Sequence, residues 1–317
     1  MNKKIVYVTG CLGFIGYHVA VRLLAEGYYV IGVDKGTYAS NQSRLVELEC
    51  YGKRFKYVKA DINDLTYLVD CDYVINTAAE THVDNSITSS DEFIHSNING
   101  VHNLLKLIES KGRYKMPILL HFSTDEVYGD LDEGAYSETQ LLKPSNPYAA
   151  SKAAADQLIT AWNRTHNVPY IIVRPSNNYG PGQYVEKLIP KTIKYLSIGR
   201  KIPLHAGGTP TRTWLHVYDT AEAILQIIKS KSVNEIYNIP GNFEISNLRV
   251  VSEIVDVMFP HNKNYDEYID FNYERPGHDV RYSIDGSKLA ALGWTARRDF
   301  FEELPEIVNY YERNWIW

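Results

Sequence analysis

Two short motifs in the middle of the chain contain side chains that can move protons. The first, Ser-Thr-Asp-Glu-Val-Tyr-Gly at residues 123–129, holds two adjacent carboxylic acids, Asp125 and Glu126. Neighbouring residues of a regular strand or helix point in different directions, so both acids can reach one substrate only if the chain turns there. In the second motif, Tyr148 and Lys152 are four residues apart, which places them on one face of a helix. Together the motifs predict an acid pair that faces a tyrosine–lysine pair.

The tyrosine–lysine spacing has a chemical interpretation and a simpler one. A free tyrosine has a pKa of about 10, so Tyr148 can act as a base near neutral pH only if a cation lies close by. Lys152 is such a cation, and lowering the pKa by about three units corresponds to roughly 4 kcal/mol. The simpler interpretation is a chance pair on a helix surface. The pair follows the apolar run 118–122 and lies downstream of a glycine-rich loop, which favours the chemical interpretation.

That glycine-rich loop lies near the N-terminus, where Gly10, Gly13 and Gly16 have the spacing GxxGxxG between an apolar run and an amphipathic pattern. In a strand–loop–helix unit, the first glycine allows a tight turn, the second lets the backbone approach a pyrophosphate, and the third allows close helix packing. The N-terminus of the helix adds N–H donors and a positive dipole end. The loop, which includes Phe14 and Ile15, therefore predicts a dinucleotide site, unless the glycines serve only to form the turn.

Residues that end the following strands fit the same site. Asp34 ends the second strand, close to the roughly 20-residue distance expected of an acid that hydrogen-bonds the adenosine ribose. Such an acid also repels a 2′-phosphate, which favours NAD over NADP, although Lys35 leaves that preference open. Asp61 and Ile62 could contact the adenine, or Asp61 could be an ordinary loop aspartate. The small residues 77–79 could let the backbone touch the cofactor, or could simply pack tightly.

Short apolar runs alternate with helical patterns through the first half of the chain. This alternation predicts an α/β protein with a Rossmann-type, doubly wound parallel sheet covered on both faces. Strands are expected at 5–8, 29–33, 55–58, 73–76, 118–122, 170–173 and 235–239. After Pro175, prolines break this rhythm. We therefore expect residues 1–174 plus about 213–240 to form the Rossmann domain, and about 175–212 plus 241–317 to form a smaller, loop-rich α/β substrate domain, with a cleft at the strand ends.

Composition excludes several classes of protein. The chain has 317 residues, 44% of them hydrophobic, and a formal net charge of -5, which gives no reason to expect nucleic acid or an anionic membrane as a partner. Its 3 cysteines are too widely spaced for a disulfide framework, and no group of residues has metal-ligand spacing, so no metal is expected. No apolar run approaches the roughly 18 residues of a membrane span. The first residues lack a signal-peptide pattern, so a cytoplasmic location is expected.

Several motifs together give the sequence a family resemblance. The glycine loop, Asp34, Asp61-Ile62, Ala78-Ala79-Glu80 and the Tyr148/Lys152 pair resemble those of the extended short-chain dehydrogenases/reductases. The motif at 123–129 narrows the resemblance to nucleotide-sugar 4,6-dehydratases, because related epimerases and decarboxylases usually lack the Asp-Glu pair. The same resemblance is carried by residues 177–181, 187–190, 212–215 and 275–279, and it covers essentially the whole chain.

The resemblance implies an NAD-dependent reaction that ends in a 4-keto-6-deoxy sugar nucleotide. Tyr148, helped by Thr124 and Lys152, would take the proton of the sugar C4 hydroxyl as hydride passes to NAD. Glu126 would remove the C5 proton, which the new ketone makes acidic, while a protonated Asp125 would donate to the departing C6 hydroxyl. Hydride would then return to C6. Burial and a neighbouring carboxylate both help an acid hold its proton, but the residues alone leave open which carboxylate does so.

The resemblance also implies the binding contacts. NAD is expected to contact Asn178 as well, and the arginines suit a diphosphate because a guanidinium offers a bidentate fork. Bacterial dTDP-glucose enzymes commonly have tyrosine at the position of His205, whereas eukaryotic UDP-glucose dehydratases, linked to UDP-rhamnose synthesis, tend to have histidine. UDP-glucose is therefore favoured over dTDP-glucose. The residues expected to bind the sugar nucleotide are Thr124, Asn177, Lys187, Leu188, His205, Arg212, Asn247, Arg275 and His278.

A homodimer is also expected from the resemblance, through the helical pattern near 98–108 and the helix that contains Tyr148. Two other functions stay open. A nucleotide-sugar 4-epimerase would share the fold but would leave the C6 hydroxyl on its product. A non-catalytic NAD-binding regulator is disfavoured, because such proteins tend to lose the tyrosine–lysine pair.

Overall fold

The computed structural model describes residues 4–272 and 280–314. Its strands are β1 (Ile5–Thr9), β2 (Tyr29–Asp34), β3 (Phe55–Lys59), β4 (Tyr73–Asn76), β5 (Ile118–Phe122), β6 (Tyr170–Pro175), β7 (Asn177–Tyr179), β8 (Ile202–Pro203), β9 (Thr211–His216), β10 (Glu235–Ile239), β11 (Phe243–Ser246) and β12 (Ile269–Asp270). Its α-helices are α1 (Phe14–Ala25), α2 (Gln42–Glu49), α3 (Val83–Thr88), α4 (Asp91–Phe93), α5 (Gly100–Glu109), α6 (Pro147–His166), α7 (Leu188–Ser197), α8 (Val217–Ser230), α9 (Asn247–Met258), α10 (Ser287–Ala290) and α11 (Phe300–Arg313). Within these residues, no helix combines the length and the apolar character needed to cross a membrane.

Seven parallel strands form the main sheet, in the order β10-β6-β5-β4-β1-β2-β3. The chain fills one side of β1 first and then returns to fill the other, so the strand order reverses between β1 and β4. Each strand is a short apolar run, and apolar cores lie on both faces of the sheet. The expected Rossmann-type, doubly wound sheet is confirmed. Where the order reverses, the carboxyl ends of the strands leave a crevice in which ligands of such sheets bind.

The register brings polar residues to that edge of the sheet. Thr9 of β1 lies opposite Asn76 of β4, and Asn76 lies opposite His121 of β5. After β5 the backbone enters a 3₁₀ turn at Asp125–Tyr128, so the chain does turn at the acid pair, as expected. The turn is capped by Thr124, whose side chain accepts a hydrogen bond from the Glu126 N–H.

The later part of the chain forms a second apolar core of its own. Helices α7, α9 and α11 pack together there against a small sheet in the order β11-β9-β7. The sequence predicts a loop-rich α/β domain in this region but does not locate the three strands of this sheet. Two of its strands are only 3 and 4 residues long, too short to show a periodicity.

The division into two domains stays a proposal, with one adjustment. Helix α8 packs on α1 and β10 pairs with β6, which joins both elements to the main sheet. Leu289 and Trp294 also belong to the main core, although they fall in the range expected for the substrate domain. We therefore propose that the segment around α10 belongs with the Rossmann part.

A buried ion pair fixes helix α6, which contains Tyr148 and Lys152, to the sheet. Asp156 of α6 is 1% exposed and Arg174 of β6 is 3% exposed. The Arg174 Nε and Nη2 atoms lie 3.0 and 2.9 Å from Asp156 Oδ2. Burial raises the pKa of Asp156 although Arg174 opposes the rise. The pair is therefore a positional constraint whose loss on one side is costly.

Further hydrogen bonds extend this ion pair across the sheet. Ser123 Oγ donates to Asp156 Oδ2 over 3.0 Å, and Arg174 Nη1 donates to the Tyr128 hydroxyl over 2.7 Å. The Tyr128 hydroxyl donates in turn to Asn238 Oδ1 of β10, at 2.8 Å. The network therefore ties the acid turn, α6, β6 and β10 together.

We predict that Arg174→Met lowers the free energy of unfolding by about 3–5 kcal/mol near pH 8, because it leaves the Asp156 carboxylate buried without its partner. Without the guanidinium, the folded-state pKa of Asp156 lies further above the unfolded value, so the loss grows as pH rises and shrinks near pH 5. Urea unfolding at the two pH values measures it. The double variant Asp156→Leu/Arg174→Met should recover much of the loss. Equal losses at both pH values would contradict the explanation.

Candidate active site

A cleft of about 500 Å³ opens at the carboxyl edge of the main sheet, between the two apolar cores. Lys152 instead lines a small adjoining cavity that it shares with Tyr148. Arg275 and His278 lie outside the described residues. The other expected site residues all line the main cleft: Gly10, Gly13, Phe14, Ile15, Gly16, Asp34, Asp61, Ile62, Ala78, Ala79, Thr124, Asp125, Glu126, Tyr148, Asn177, Asn178, Lys187, Leu188, His205, Arg212 and Asn247.

The glycine loop forms a cradle that a side chain would fill. Gly10 has a φ of +69°, and a Cβ atom there would lie 2.9 Å from the Ala78 backbone nitrogen. A Cβ atom on Gly16 would lie 2.2 Å from the Gly10 carbonyl oxygen, so α1 can pack this closely only on a glycine. Gly13 precedes α1 and has no side chain to cap it, which leaves the first helical N–H groups for a phosphate. These features fit the pyrophosphate of NAD.

Hydrogen bonds hold the Asp34 carboxylate in a position where it can bind a ribose. Its carboxylate accepts hydrogen bonds from Leu12 N at 2.9 Å, Gly36 N at 2.8 Å and Ser40 Oγ at 2.8 Å. A carboxylate has about four acceptor sites, so it can accept a further hydroxyl. Lys35, beside it, is engaged by acids: its Nζ lies 3.3 Å from Asp61 Oδ2. It is therefore not an unpaired cation for a 2′-phosphate, which agrees with NAD rather than NADP.

The acid pair lies where β5 ends. Asp125 is 3% exposed; Thr124 Oγ1 donates to its Oδ1 over 3.2 Å, and its Oδ2 has no hydrogen-bond partner among the described residues. Burial, and after it the neighbouring Glu126, raise the pKa of Asp125 to about 7, although Arg212 opposes the rise. Glu126 is half-buried and accepts from Asn146 Nδ2 at 3.3 Å. The geometry thus makes Asp125 the member of the acid pair that is favoured to hold a proton.

The tyrosine–lysine pair departs from the expectation. Burial raises the pKa of Tyr148, Glu126 and Asp125 raise it too, and a hydrogen bond with Thr124 opposes the rise. Lys152 is not among the charges that act on Tyr148, so the expected lowering of the tyrosine pKa by lysine is absent from this arrangement. Burial lowers the pKa of Lys152 itself to about 8. The physical reason for the difference is desolvation, which disfavours the charged form of each group.

Cationic and amide side chains from the later part of the chain also line the cleft. The guanidinium of Arg212 lies over the Tyr282 ring, 4.4 Å from its centre. Lys187 precedes α7, and its Nζ donates to the Thr81 carbonyl over 2.8 Å. Asn178 Oδ1 accepts from Thr220 Oγ1 at 2.6 Å. In residues 4–272 and 280–314, no cluster of His, Cys, Asp or Glu is placed to hold a metal ion.

Sequence reasoning missed His121, which lies next to Lys152, and Asn76, which lies next to His121. His121 is fully buried, and its Nε2 lies 3.4 Å from Lys152 Nζ. Its Nδ1 lies 3.1 Å from Asn76 Nδ2. The signal was present, since a histidine stands out in the apolar run 118–122, but only the pairing of β4 with β5 shows its neighbours.

The fold and the cleft define an NAD-binding protein of the extended short-chain dehydrogenase/reductase class. The family model described as GDP-mannose 4,6 dehydratase matches residues 7–307. The chain therefore belongs to this family of nucleotide-sugar 4,6-dehydratases, which are NAD-dependent hydro-lyases.

Individual relatives agree. The dTDP-glucose 4,6-dehydratase of Haemophilus influenzae is 40% identical over 96% of this chain and 97% of its own, and the probable dTDP-glucose 4,6-dehydratase of Sinorhizobium fredii is 39% identical over 98% and 94%. The crystal structure of a dTDP-glucose 4,6-dehydratase from Streptomyces venezuelae, with NAD bound, superposes with a TM-score of 0.91 at 35% identity, covering 98% of this chain and 97% of that one.

We predict that Asp125→Asn stabilises the protein more at about pH 8 than at about pH 5. The folded-state pKa of Asp125, about 7, lies above the unfolded value of about 3.9, so the group costs stability as pH rises between the two. An amide does not ionise and avoids that cost, which is on the order of a few kcal/mol. Thermal unfolding of the NAD-loaded protein at both pH values measures the difference. A gain of equal size at both values would contradict the assigned protonation.

Proposed function

We propose that this chain converts dTDP-glucose to its 4-keto-6-deoxy derivative by removing water across C5 and C6. The observation that carries the proposal is the adjacent acid pair, in which the buried Asp125, whose pKa is raised by burial, lies beside the half-buried Glu126. Elimination of water needs one group to take a proton and another to donate one, and two acids with different environments can divide these tasks.

The glycine loop and Asp34 would hold NAD, which when bound would supply a hydride acceptor for C4 and a hydride donor for C6. Tyr148 and Thr124 are proposed to bind the C4 hydroxyl and accept its proton, since they share a hydrogen bond at the inner end of the cleft. Their burial excludes water from this step. Oxidation at C4 makes the C5 proton acidic, which prepares the elimination.

Glu126 is proposed to take the C5 proton, and Asp125 to give its proton to the C6 hydroxyl so that it leaves as water. The Thr124 hydroxyl donates to Asp125 Oδ1, which leaves Oδ2 to present the proton. Glu126 then returns its proton to C5. The site gains one proton from the C4 hydroxyl and loses one from Asp125 to the departing water. These two changes balance, so the overall reaction is the loss of one water molecule.

We propose that four polar residues of the cleft bind the nucleotide diphosphate and base: Arg212, Lys187, Asn177 and Asn247. Leu188 and His205 line the same cleft. Arg212 suits a diphosphate because its guanidinium is already positioned on the Tyr282 ring. Arg275 and His278 are proposed for the same pocket from the family resemblance alone.

Two observations bear on whether the nucleotide of the substrate carries uracil or thymine, and they differ in weight. His205 favours uridine by family resemblance, whereas the similar curated relatives are named as dTDP-glucose enzymes. The second observation comes from whole-chain similarity and has the greater weight, so the preference for UDP-glucose finds no support. The 4-epimerase alternative rests on structures such as a UDP-glucuronic acid 4-epimerase from Bacillus cereus, which at 24% identity shares the fold alone. The homodimer and the cytoplasmic location stay predictions.

We predict that the purified protein with NAD converts dTDP-glucose to a product lighter by one water, with a new C6 methyl group and solvent deuterium at C5. UDP-glucose should react with a kcat/KM lower by about tenfold or more, because recognition of one methyl group contributes at least this much. Mass spectrometry and proton NMR measure both. Failure of both sugars would overturn the function, and a C4-inverted product that keeps its C6 hydroxyl would indicate an epimerase.

We predict that Asp125→Asn and Tyr148→Phe block different steps. Loss of a general acid or base typically slows its step by about 10²–10⁴-fold. Asp125→Asn should therefore let reduced cofactor accumulate without loss of water, whereas Tyr148→Phe should prevent the reduction itself. Stopped-flow absorbance of the cofactor, together with product analysis, separates the two. Equal slowing of both steps in both variants would contradict the division of roles.

A further inference from the structure

Arg44 of α2 is a buried cation to which the proposed reaction gives no role. Its side chain donates to two backbone carbonyls: Nη1 to that of Leu12, over 2.8 Å, and Nη2 to that of Gly182. Leu12 belongs to the glycine loop, and Gly182 belongs to the loop 180–187, which joins β7 to α7. Hydrogen bonds from a charged donor are stronger than those between neutral groups, so the guanidinium ties the two loops together.

Arg44 is fixed on the cofactor side of the cleft. Helix α2 begins where Asn41 N donates to the same Leu12 carbonyl, over 3.0 Å, and the guanidinium lies over the Tyr17 ring of α1, 5.2 Å from its centre. The Leu12 carbonyl is part of the peptide that ends at Gly13, immediately before the helix whose first N–H groups suit a pyrophosphate. Arg44 therefore contacts the cofactor cradle directly.

The loop beyond β7 is held from its other side by the second core. The Tyr311 hydroxyl of α11 lies 3.0 Å from the carbonyl oxygens of Gly180 and of Gln183. Gly182, between them, has a φ of +84°, and a Cβ atom there would lie 2.7 Å from the Arg44 Nη2 atom. Only a glycine therefore lets the loop approach the guanidinium this closely.

Two other side chains reach this loop from the cofactor side. His18 Nε2 of α1 lies 3.3 Å from the Pro181 carbonyl oxygen, and the Tyr38 ring lies edge-on to the Tyr184 ring, with 5.4 Å between the ring centres. Arg44 differs from both, because the same guanidinium also bonds the glycine loop. Ordering of the glycine loop therefore acts on the loop beyond β7 through a single side chain.

We propose that Arg44 is a positioning residue that couples the two ligand sites. NAD on the glycine loop fixes the guanidinium, and the guanidinium fixes the loop 180–187, which leads to Lys187 and presents it to the diphosphate of the sugar nucleotide. The inference rests on the proposed role of Lys187 in binding that diphosphate. Order that the first ligand imposes does not have to be imposed again by the second, so each ligand strengthens the binding of the other.

Such coupling suits the proposed reaction. A hydride is taken from C4 of the sugar and has to return to C6 of the same molecule, so cofactor and sugar have to stay bound together through every step. Coupling between two binding sites is reciprocal, so the sugar nucleotide strengthens NAD binding by the factor by which NAD strengthens its own. The oxidised sugar and the reduced cofactor are thereby kept from separating before the hydride returns.

The first test is amide hydrogen exchange of the full-length protein with and without NAD, followed by mass spectrometry of peptides that cover residues 180–187. In the wild type, we expect NAD to slow exchange in this loop by about fivefold or more. In Arg44→Met the effect should fall below about twofold, while NAD still protects the glycine loop. A wild-type loop that does not respond to NAD, or an equal response in Arg44→Met, would overturn the proposal.

The second test is the affinity for dTDP, measured by calorimetry without NAD and with saturating NAD. We expect NAD to lower the wild-type Kd by about fivefold or more, and the Arg44→Met Kd by less than about twofold. Arg44→Lys keeps the charge but lacks the planar fork, so its coupling should also be weaker than that of the wild type. A loss of affinity by the same factor with and without NAD in both variants would show a merely structural role and overturn the proposal.

Arg54→Met is the matched control. Arg54 is half-buried, its Nη1 donates to the Leu24 carbonyl over 2.7 Å, and its guanidinium lies 5.5 Å from the centre of the Tyr51 ring. These contacts resemble those of Arg44 but lie outside the cleft, so this variant should keep the wild-type coupling. An equal loss of coupling in Arg54→Met would overturn the proposal. If dTDP binds to none of the proteins, the proposed function fails, and hydrogen exchange with NAD alone still decides whether Arg44 links the two loops.

Discussion

Desolvation at the carboxyl edge of the main sheet governs the chemistry of this protein. Burial raises the pKa of Asp125 and of Tyr148 and lowers that of Lys152, and in each case it is the largest cause. All three shifts favour the neutral form. The site therefore favours neutral groups, and a charge can form there only when a neighbouring group changes its charge as well. An elimination needs this property, since it moves protons between groups without net gain or loss.

The sheet could be predicted well because its signal is local. A buried parallel strand is a short apolar run, and the strands at 73–76, 118–122 and 235–239 begin and end as the sequence indicates. Strands β7 and β11 were not predicted, because a segment of 3 or 4 residues is too short to show an alternating pattern. They are stabilised by partners that are distant in sequence, and a single chain read in order does not reveal those partners.

The candidate site shows the same limit. Spacing placed Tyr148 and Lys152 on one helix face, and they do share a small cavity. The spacing could not show that His121 lies next to Lys152, because that contact depends on how α6 lies across β5. Arg44 was missed for a similar reason. It is buried and donates to the Leu12 carbonyl over 2.8 Å and to the Gly182 carbonyl, joining the glycine loop to a loop beyond β7.

The hydrogen bond from Tyr128 to Asn238 has a consequence for how the chain acquires its working form during synthesis. Arg174, Asp156 and Tyr128 emerge from the ribosome well before β10, the edge strand that contains Asn238. Until β10 docks, β6 is an open sheet edge, and the polar network that holds α6 ends in an unpaired hydroxyl. The residues that do the chemistry are therefore all translated before the strand that locks them in place, and the nascent enzyme matures only when its last sheet strand arrives.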